Sequence, residues 1–340
     1  MKKTVGFGDY LLRLNPPGYQ RFMQANTLEL NYTGAEANVC ASLSMMGVQT
    51  EFVTKLPNND IALSGVATLR KLGVGTRYIC YGGERMGVFY LEKGASQRPS
   101  KVIYDRRYTS VATASRKDFN WTEIFEDAGW LHITGITPAL SDSMPEICID
   151  ACAAAKNMGL TVSCDLNYRK NLWSPQQARP VMERILHYVD VLIANEEDAQ
   201  QVLGLHPAKT DVTAGKLDLE GYIALAEKIG KLYDIQSVGT TLRKSISASD
   251  NEWQALFYTN GKSFISRNYA VHIVDRVGGG DSFAAGLIYS LQKDFAPQRA
   301  VEYAAAASCL KHSIEMDYNL STPEEVERLV AGDASGRVQR

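Results

Sequence analysis

The stretch DRVGGGDSFAAG, residues 275–286, combines residue types that together suit phosphoryl transfer. Gly278, Gly279 and Gly280 let a backbone approach a ligand closely, and an apolar helical pattern follows them. The first N–H groups of a helix lack partners and lie at the positive end of its dipole, so this turn predicts an anion-binding cradle. Asp281 would accept a proton from an attacking hydroxyl beside that cradle. The alternative is an ordinary capped helix in which Asp281 only complements the dipole.

The two common nucleotide-binding motifs are incomplete in this chain. Residues 261–263 supply the Gly-Lys-Ser end of a P-loop, but Leu256 stands where its first glycine belongs. Residues 6–8 read Gly-Phe-Gly, and Leu11 stands where a dinucleotide fingerprint needs its third glycine. These departures disfavour a P-loop enzyme and a Rossmann dehydrogenase, and the dehydrogenase stays open as an alternative enzyme class.

A strand–helix rhythm positions the glycine turn. The predicted strands are 4–8, 50–55, 130–133, 160–165 and 189–194, and the predicted helices are 35–46, 60–72, 144–157, 175–188, 219–231 and 282–292. Such alternation indicates an α/β fold with a doubly wound, mostly parallel sheet flanked by helices. Because no linker interrupts the pattern, we predict a single domain over residues 1–340.

Two segments, about 10–33 and 86–112, break this rhythm. The second contains a predicted hairpin with strands at 87–92 and 101–104. Hairpin strands cannot join a parallel core without crossover connections. We therefore predict a small antiparallel sheet beside the main sheet, acting as a β lid over the site. The alternative is a surface hairpin without a function.

Composition excludes several classes of protein. The chain has 340 residues, 45% of them hydrophobic, and a formal net charge of −2. No block of like charges predicts a nucleic-acid or membrane-surface partner, and no apolar run predicts a membrane span. The six cysteines form no C-x-x-C pair, so zinc and redox motifs are unsupported. We expect a cytoplasmic protein.

Three motifs, in this order along the chain, resemble those of the ribokinase-like (PfkB) sugar kinases. They are TGAEAN at residues 33–38, NEED at residues 195–198, and DRVGGGD at residues 275–281. Arg276, Gly279 and Asp198 depart from the usual Thr, Ala and Glu. The resemblance covers nearly the whole chain and implies the family's fold, ATP as phosphoryl donor and Mg²⁺ as its cation, with K⁺ as a further candidate cofactor. It also implies a homodimer or higher homo-oligomer formed through the lid strands.

Within that family, the chain most resembles the 2-keto-3-deoxygluconate kinases. The stretches that carry this resemblance are YTGAEANV, LEKGASQRPSKVIYDR, CDLNYRKNLW and IANEED. A sugar acid gives the arginines in these stretches a purpose, because a guanidinium binds a carboxylate through two hydrogen bonds. Arg106 could instead lie on a solvated edge, and Arg169 could pair with Asp165.

The resemblance implies a set of site residues. Those for the sugar acid are Asp9, Gly34, Asn38, Tyr90, Tyr104, Arg106, Arg169 and Asp281; those for ATP are Asn167, Arg169, Asn195, Thr241, Arg243, Ser245, Gly278 and Gly280; those for the metal are Glu197 and Asp198. The family's glycine-containing nucleotide loop is altered here to TTLRKSIS at residues 240–247. Kinases for fructose, ribose or 2-keto-3-deoxygalactonate remain alternatives, as does a sugar-binding regulator on a kinase fold.

Overall fold

The computed structural model describes residues 1–206 and 219–333. Its main sheet has the order β13-β12-β11-β10-β9-β8-β1-β4-β5, and β14 also pairs with β12. The strands of this sheet are β1 (Lys3–Phe7), β4 (Thr50–Leu56), β5 (Ile79–Tyr81), β8 (Ala128–Thr134), β9 (Thr161–Asp165), β10 (Val191–Ile193), β11 (Ser237–Ser245), β12 (Asp250–Thr259), β13 (Lys262–Ile265) and β14 (Tyr269–His272). From β11 to β5 all neighbours are parallel, which confirms the predicted mostly parallel α/β sheet.

Helices cover both faces of this sheet. They are α1 (Ala35–Met45), α2 (Asp60–Lys71), α3 (Trp121–Ile124), α4 (Met144–Asn157), α5 (Pro175–Leu186), α6 (Glu196–Asp198), α7 (Leu219–Tyr233), α8 (Gly279–Gln292), α9 (Pro297–Lys311) and α10 (Pro323–Val330). Local sequence sets several of their starts. The Ser174 side chain caps α5 with Gln177 in a reciprocal capping box, and Pro175 occupies the first turn, where its missing N–H costs nothing.

The core consists of apolar layers on the two faces of the sheet. On one face, α4, α5 and α7 contribute Ile147, Met182 and Leu225 to a large buried cluster. On the other face, α8 and α9 contribute side chains such as Phe283 and Val301 to a second cluster. None of the helices within the described ranges is both long and apolar enough to cross a bilayer.

A second, four-stranded sheet forms the lid, in the order β3-β2-β6-β7. Its strands are β2 (Leu11–Asn15), β3 (Glu29–Thr33), β6 (Gly87–Glu92) and β7 (Lys101–Asp105). The predicted hairpin is present as the antiparallel pair β6–β7. The expectation of a wholly antiparallel lid is wrong, because β2 and β6 are parallel. Between them the chain passes through β3, α1, β4, α2 and β5, and this long crossover connection brings β6 parallel to β2.

Several other boundaries differ from the predictions, and the helix predicted at 282–292 begins at Gly279. The strand predicted at 189–194 is only β10. Asp190 lies in a bend before it, and its Oδ2 accepts a hydrogen bond from the Val162 N–H at 2.8 Å. The antiparallel strands β12 to β14 have no counterpart in the predictions. They extend the sheet beyond β11 and form part of the wall of the site.

Candidate active site

One cavity of about 430 Å³ lies between the main sheet and the lid. It is lined by the residues that follow β9 and β10, by the start of α8 and by the lid strands β6 and β7. The carboxyl ends of parallel strands meet at one edge of a sheet, where open α/β folds bind their ligands. The predicted site residues that line this cavity are Gly34, Asn38, Tyr104, Arg106, Asn167, Arg169, Asn195, Glu197, Asp198, Thr241, Arg243, Gly278, Gly279, Gly280 and Asp281.

The three glycines at the start of α8 serve different purposes: Gly278 is its N-cap, and Gly279 and Gly280 are its first two residues. Gly278 has φ +82°, and an added Cβ would lie 2.0 Å from the carbonyl oxygen of Asp317. A Cβ on Gly279 would lie 2.7 Å from the His312 ring. A Cβ on Gly280 would meet nothing within 4 Å, because this residue faces the open cavity. The first two glycines therefore shape the turn, and the third leaves space for a ligand.

Asp281 lies in the first turn of α8, beside backbone N–H groups that have no helical acceptor. Its Oδ2 accepts a hydrogen bond of 2.7 Å from the Asn38 side chain. Burial raises the pKa of Asp281 to about 6, although the Asn38 hydrogen bond and the charge of Arg169 lower it. A carboxylate with this pKa is mostly ionised at neutral pH and is still basic enough to accept a proton.

Asn38 holds Asp281 from the first turn of α1. Its Oδ1 accepts a hydrogen bond of 3.2 Å from the Thr33 hydroxyl, so its amide nitrogen is directed at the Asp281 carboxylate. Gly34 precedes α1, and a Cβ there would lie 2.1 Å from the carbonyl oxygen of Asp9. This close approach brings the chain after β1 against the start of α1.

Arg106 is buried and lines the cavity, so it does not lie on a solvated edge. Its guanidinium donates to Asp9 Oδ2 from Nη2 at 2.9 Å and from Nε at 3.3 Å, and it lies over the Tyr104 ring. The Oδ1 atom of Asp9 is buried and has no hydrogen-bond partner among the described residues. Asp9 thus positions Arg106 while keeping one oxygen free of protein donors.

Arg169 follows β9 and faces the same cavity. The alternative that it pairs with Asp165 is not observed: the described residues contain no ion pair between them, and Arg169 Nη1 donates to the Tyr168 carbonyl at 3.0 Å. Its charge nevertheless lowers the pKa of both Asp281 and Asp198. Arg169 therefore provides a positive charge between the two ends of the cavity.

The residues after β10 form a further part of the cavity wall. Asn195 caps α6 by accepting a hydrogen bond from the Asp198 N–H at 2.8 Å. Asp198 is buried, its Oδ1 accepts from the Tyr168 N–H at 3.0 Å, and burial raises its pKa to about 6. Glu197 is exposed at the rim. Within residues 1–206 and 219–333, no group of three or more acidic, His or Cys side chains has the arrangement of a metal site.

This donor set fits Mg²⁺ that is bound mainly through phosphates and water. Mg²⁺ usually takes one or two protein carboxylates and keeps several waters. Asp198 and Glu197 offer such carboxylates at the cavity wall and rim.

Residues 1–318 match the pfkB family of carbohydrate kinases. The chain belongs to this family. The kinase is 48% identical to a 2-dehydro-3-deoxygluconokinase of known structure from Thermotoga maritima, with a TM-score of 0.94 over 98% of this chain and 100% of that one. It is 33% identical to a 2-dehydro-3-deoxygalactonokinase from Haloferax volcanii, over 98% of both chains. It is 26% identical to a 2-dehydro-3-deoxygluconokinase from Thermoproteus tenax, over 97% of this chain and 94% of the relative.

Three predicted site residues do not line the cavity of this kinase. Asp9 lies behind Arg106, and Ser245 is exposed at the end of β11. Tyr90 contacts Phe22, whereas its neighbour Phe89 lines the cavity together with Tyr104. Adjacent strand residues point to opposite faces of a sheet, so Phe89 takes the place that was expected for Tyr90.

Several residues of the kinase cavity were missed by sequence reasoning. They are Asp165, Asn251, Trp253, Arg276, His312 and Asp317. Asp165 ends β9, and a carboxylate at the end of a parallel strand is a signal that could have found it. Asn251 and Trp253 lie on β12, which the sequence did not predict.

Proposed function

We propose that this kinase transfers the γ-phosphoryl group of ATP to a hydroxyl of 2-keto-3-deoxygluconate. One observation carries the proposal: Asp281 and the open turn at Gly280 share a single cavity with the arginines Arg106 and Arg169. The first pair suits phosphoryl transfer to a hydroxyl. The second pair suits an acceptor that carries a carboxylate.

In this reaction the acceptor hydroxyl gives its proton to the Asp281 carboxylate. The hydroxyl oxygen forms a bond to the γ-phosphorus, and the bond from that phosphorus to the β,γ-bridging oxygen breaks, releasing ADP. The free N–H groups at the start of α8 stabilise the negative charge on the transferring phosphoryl group. Asn38 keeps the Asp281 carboxylate in one orientation during this step.

The two arginines distinguish a sugar acid from a neutral sugar. Arg106 is fixed by Asp9 through Nε and Nη2, so Nη1 is the nitrogen left for a ligand. Arg169 makes no ion pair within the described part of the chain. Arg106 already has Asp9 as its counter-ion, whereas Arg169 has no such partner in the described part of the chain. A substrate carboxylate would supply one, and a neutral sugar would not.

The proposed nucleotide residues belong to the main sheet and its loops, whereas Arg106 follows the lid strand β7. Asn167, Asn195, Thr241 and Arg243 line the cavity from the main sheet, and Asp198 and Glu197 would hold Mg²⁺ and its waters. When bound, Mg²⁺ neutralises phosphate charge and orients the phosphates. Arg243 would contact the phosphates from within β11, so most of the segment expected to form the nucleotide loop is a strand.

The relatives favour two epimeric acids. The relatives named for the gluconate form and for the galactonate form are both similar to this chain over nearly its full length, so 2-keto-3-deoxygalactonate is the second candidate substrate. The two acids differ in the configuration of one hydroxyl, and a single such difference gives only modest discrimination unless a buried group reads it.

The test is ADP production from Mg-ATP in a coupled assay. Parallel reactions contain 2-keto-3-deoxygluconate, 2-keto-3-deoxygalactonate, gluconate, fructose or ribose, each with and without K⁺. A kcat/KM at least tenfold higher for a keto-deoxy acid than for fructose or ribose supports the proposal. Preferential turnover of a neutral sugar refutes the carboxylate clamp. Sugar-acid binding without any ADP production favours the regulator alternative.

We also propose that the kinase is a homodimer through its lid. Strand pairing places Leu30, Leu14, Tyr90 and Ile103 side by side across the four lid strands. Leu30 is 51% exposed and Ile103 is 56% exposed. This row lies on the face opposite to Phe89 and the cavity, and an apolar sheet face of this kind is covered most simply by a second copy.

A further inference from the structure

A cluster of four buried charges lies directly beneath the glycine turn. Its members are Arg13, Asp275, Lys311 and Asp317, and each is at most 3% exposed. The proposed reaction uses none of them. Two positive and two negative side chains make the cluster neutral as a whole.

The bonds within the cluster connect the lid to the turn. Arg13 of β2 donates from Nη2 to Asp275 Oδ2 at 2.6 Å and from Nη1 to Asp317 Oδ1. Lys311, the last residue of α9, donates from Nζ to the carbonyl oxygens of Ile314 at 3.0 Å and Asp275 at 3.4 Å. Lys311 therefore bonds only to neutral carbonyl groups in the described structure, whereas Arg13 bonds to the carboxylates.

Lys311 is also in contact with the turn itself. Its Cε lies 3.3 Å from the position that a Cβ on Gly278 would occupy. The carbonyl of Asp317 presses on the same position, and Asp275 Oδ1 accepts a hydrogen bond from the Val277 N–H at 3.1 Å. The Lys311 side chain thus supports the glycine turn from the face opposite to the cavity.

We propose that Lys311 is a positioning residue that holds the glycine turn through the Asp275 carbonyl and places a fixed positive charge behind the phosphoryl-binding N–H groups. The inference rests on the proposed phosphoryl-transfer role of that turn. A fully buried ammonium group is costly to desolvate, and an apolar side chain of similar length would fill the same space without that cost. Burial lowers the pKa of Lys311, whereas the Asp275 and Asp317 carboxylates raise it, so these two acids are its counter-charge inside the cluster. The same positive charge would attract an anion bound on the other side of the turn.

The charge of Lys311 also reaches Asp281. It lowers the pKa of this carboxyl group, and the nearby Asp317 carboxylate raises it. Removing the positive charge should therefore move the acidic limb of the kcat/KM profile to higher pH. Removing the negative charge with Asp317→Asn should move the limb to lower pH. General loss of stability would not produce two shifts of opposite sign.

The test compares Lys311→Ala, Lys311→Met and Asp317→Asn. We expect both lysine variants to lose kcat on the order of tenfold or more, with a small change in KM for the sugar acid. Ammonium or methylammonium chloride, against sodium chloride at equal ionic strength, should restore activity to Lys311→Ala, which has room for the cation. Lys311→Met should not respond. Lys55→Met, which breaks a partly buried ion pair with Asp118 away from the cavity, is the control and should retain wild-type kcat.

Binding of Mg-ATP without sugar, measured by calorimetry, separates this proposal from the choice of acceptor. We expect severalfold weaker binding to Lys311→Met, whichever sugar is the substrate. Wild-type kcat and Mg-ATP affinity in both lysine variants would overturn the proposal. If the loss of kcat in the lysine variants only parallels the loss of melting temperature, and amines do not rescue Lys311→Ala, Lys311 has a structural role alone. That result would also overturn the proposal. If the lysine variants do not fold, the test rests on Asp317→Asn. An acidic limb of its kcat/KM profile that stays at the wild-type pH or moves to higher pH would overturn the proposal.

Discussion

Exchanging single glycines of the turn for alanine should separate shape from ligand binding. Gly278 has φ +82°, and its added Cβ would lie 2.0 Å from a backbone oxygen, so Gly278→Ala must distort the turn. A left-handed conformation alone costs an alanine about 1–2 kcal/mol, and the backbone contact adds to this. Gly280 lies in α8 with open space around its Cβ position. Alanine is the better helix former by about 1 kcal/mol, so Gly280→Ala should keep or slightly raise the free energy of unfolding.

Gly280→Ala, the more stable of the two variants, should nevertheless lose activity. The methyl group of Gly280→Ala enters the cavity where the phosphoryl group is expected, so kcat/KM for ATP should fall on the order of tenfold or more, because small displacements of reacting groups are costly. Denaturant unfolding and steady-state kinetics on both variants provide the measurement. A Gly280→Ala enzyme with wild-type kcat/KM would refute the placement of the phosphoryl group beside this residue. A Gly278→Ala enzyme of unchanged stability would refute the structural role of Gly278.

Four further predictions concern the site and the assembly. Asp281→Asn should lower kcat by a factor on the order of 10² or more, and its melting temperature at pH 8 should exceed that of the wild type, because the raised pKa of Asp281 shows that its ionised form is disfavoured by folding. This stability difference should shrink as the pH falls through about 6, where the wild-type carboxylate takes up a proton. Arg169→Ala should chiefly raise KM for the sugar acid, and an unchanged KM would contradict its role. Asn38→Ala removes a hydrogen bond that lowers the pKa of Asp281, so the acidic limb of kcat/KM, expected near pH 6, should move upward. Light scattering should give the mass of a dimer, and Ile103→Glu should shift it toward the 37.5 kDa monomer.

The parallel part of the fold was predictable because its signals are local. Helices α2 and α5 have caps and apolar faces that can be read from a few neighbouring residues. The parallel pairing of β2 with β6 was not predictable in this way, because it depends on a crossover of more than 70 residues. The strands β12 to β14 were missed for a related reason. They are recognised by pairing with β11, which the sequence pattern had not assigned as a strand.

The residues of the candidate site were likewise predictable only where their signal is local. Gly278 to Gly280 and Asp281 were found because glycine runs before a helix have a direct backbone meaning. Arg13 and Lys311 were missed because a charged residue in a strand or at a helix end ordinarily faces water. The partners of Arg13, Asp275 and Asp317, are far away in the chain and leave no local pattern. Tyr90 was assigned to the wrong lid face because strand register, not residue type, decides which of two neighbouring aromatic residues faces the cavity.

Three buried acids that line the cavity, and Glu36 beside them, explain why one carboxyl group can act as a base here. Glu36, Asp165, Asp198 and Asp281 are all buried, and burial raises the pKa of each: to about 7 for Glu36, to about 6 for Asp198 and Asp281, and well above the usual value for Asp165. Three hydrogen bonds to Glu36 Oε1, from the Thr134 N–H and hydroxyl and from the Thr137 hydroxyl, direct that acid away from the ligand space. Asp281 instead faces the ligand and has a single side-chain donor. Burial therefore raises the basicity of the whole group, and Asp281 is the member that lies in the first turn of α8, beside the glycine turn where the phosphoryl group is expected.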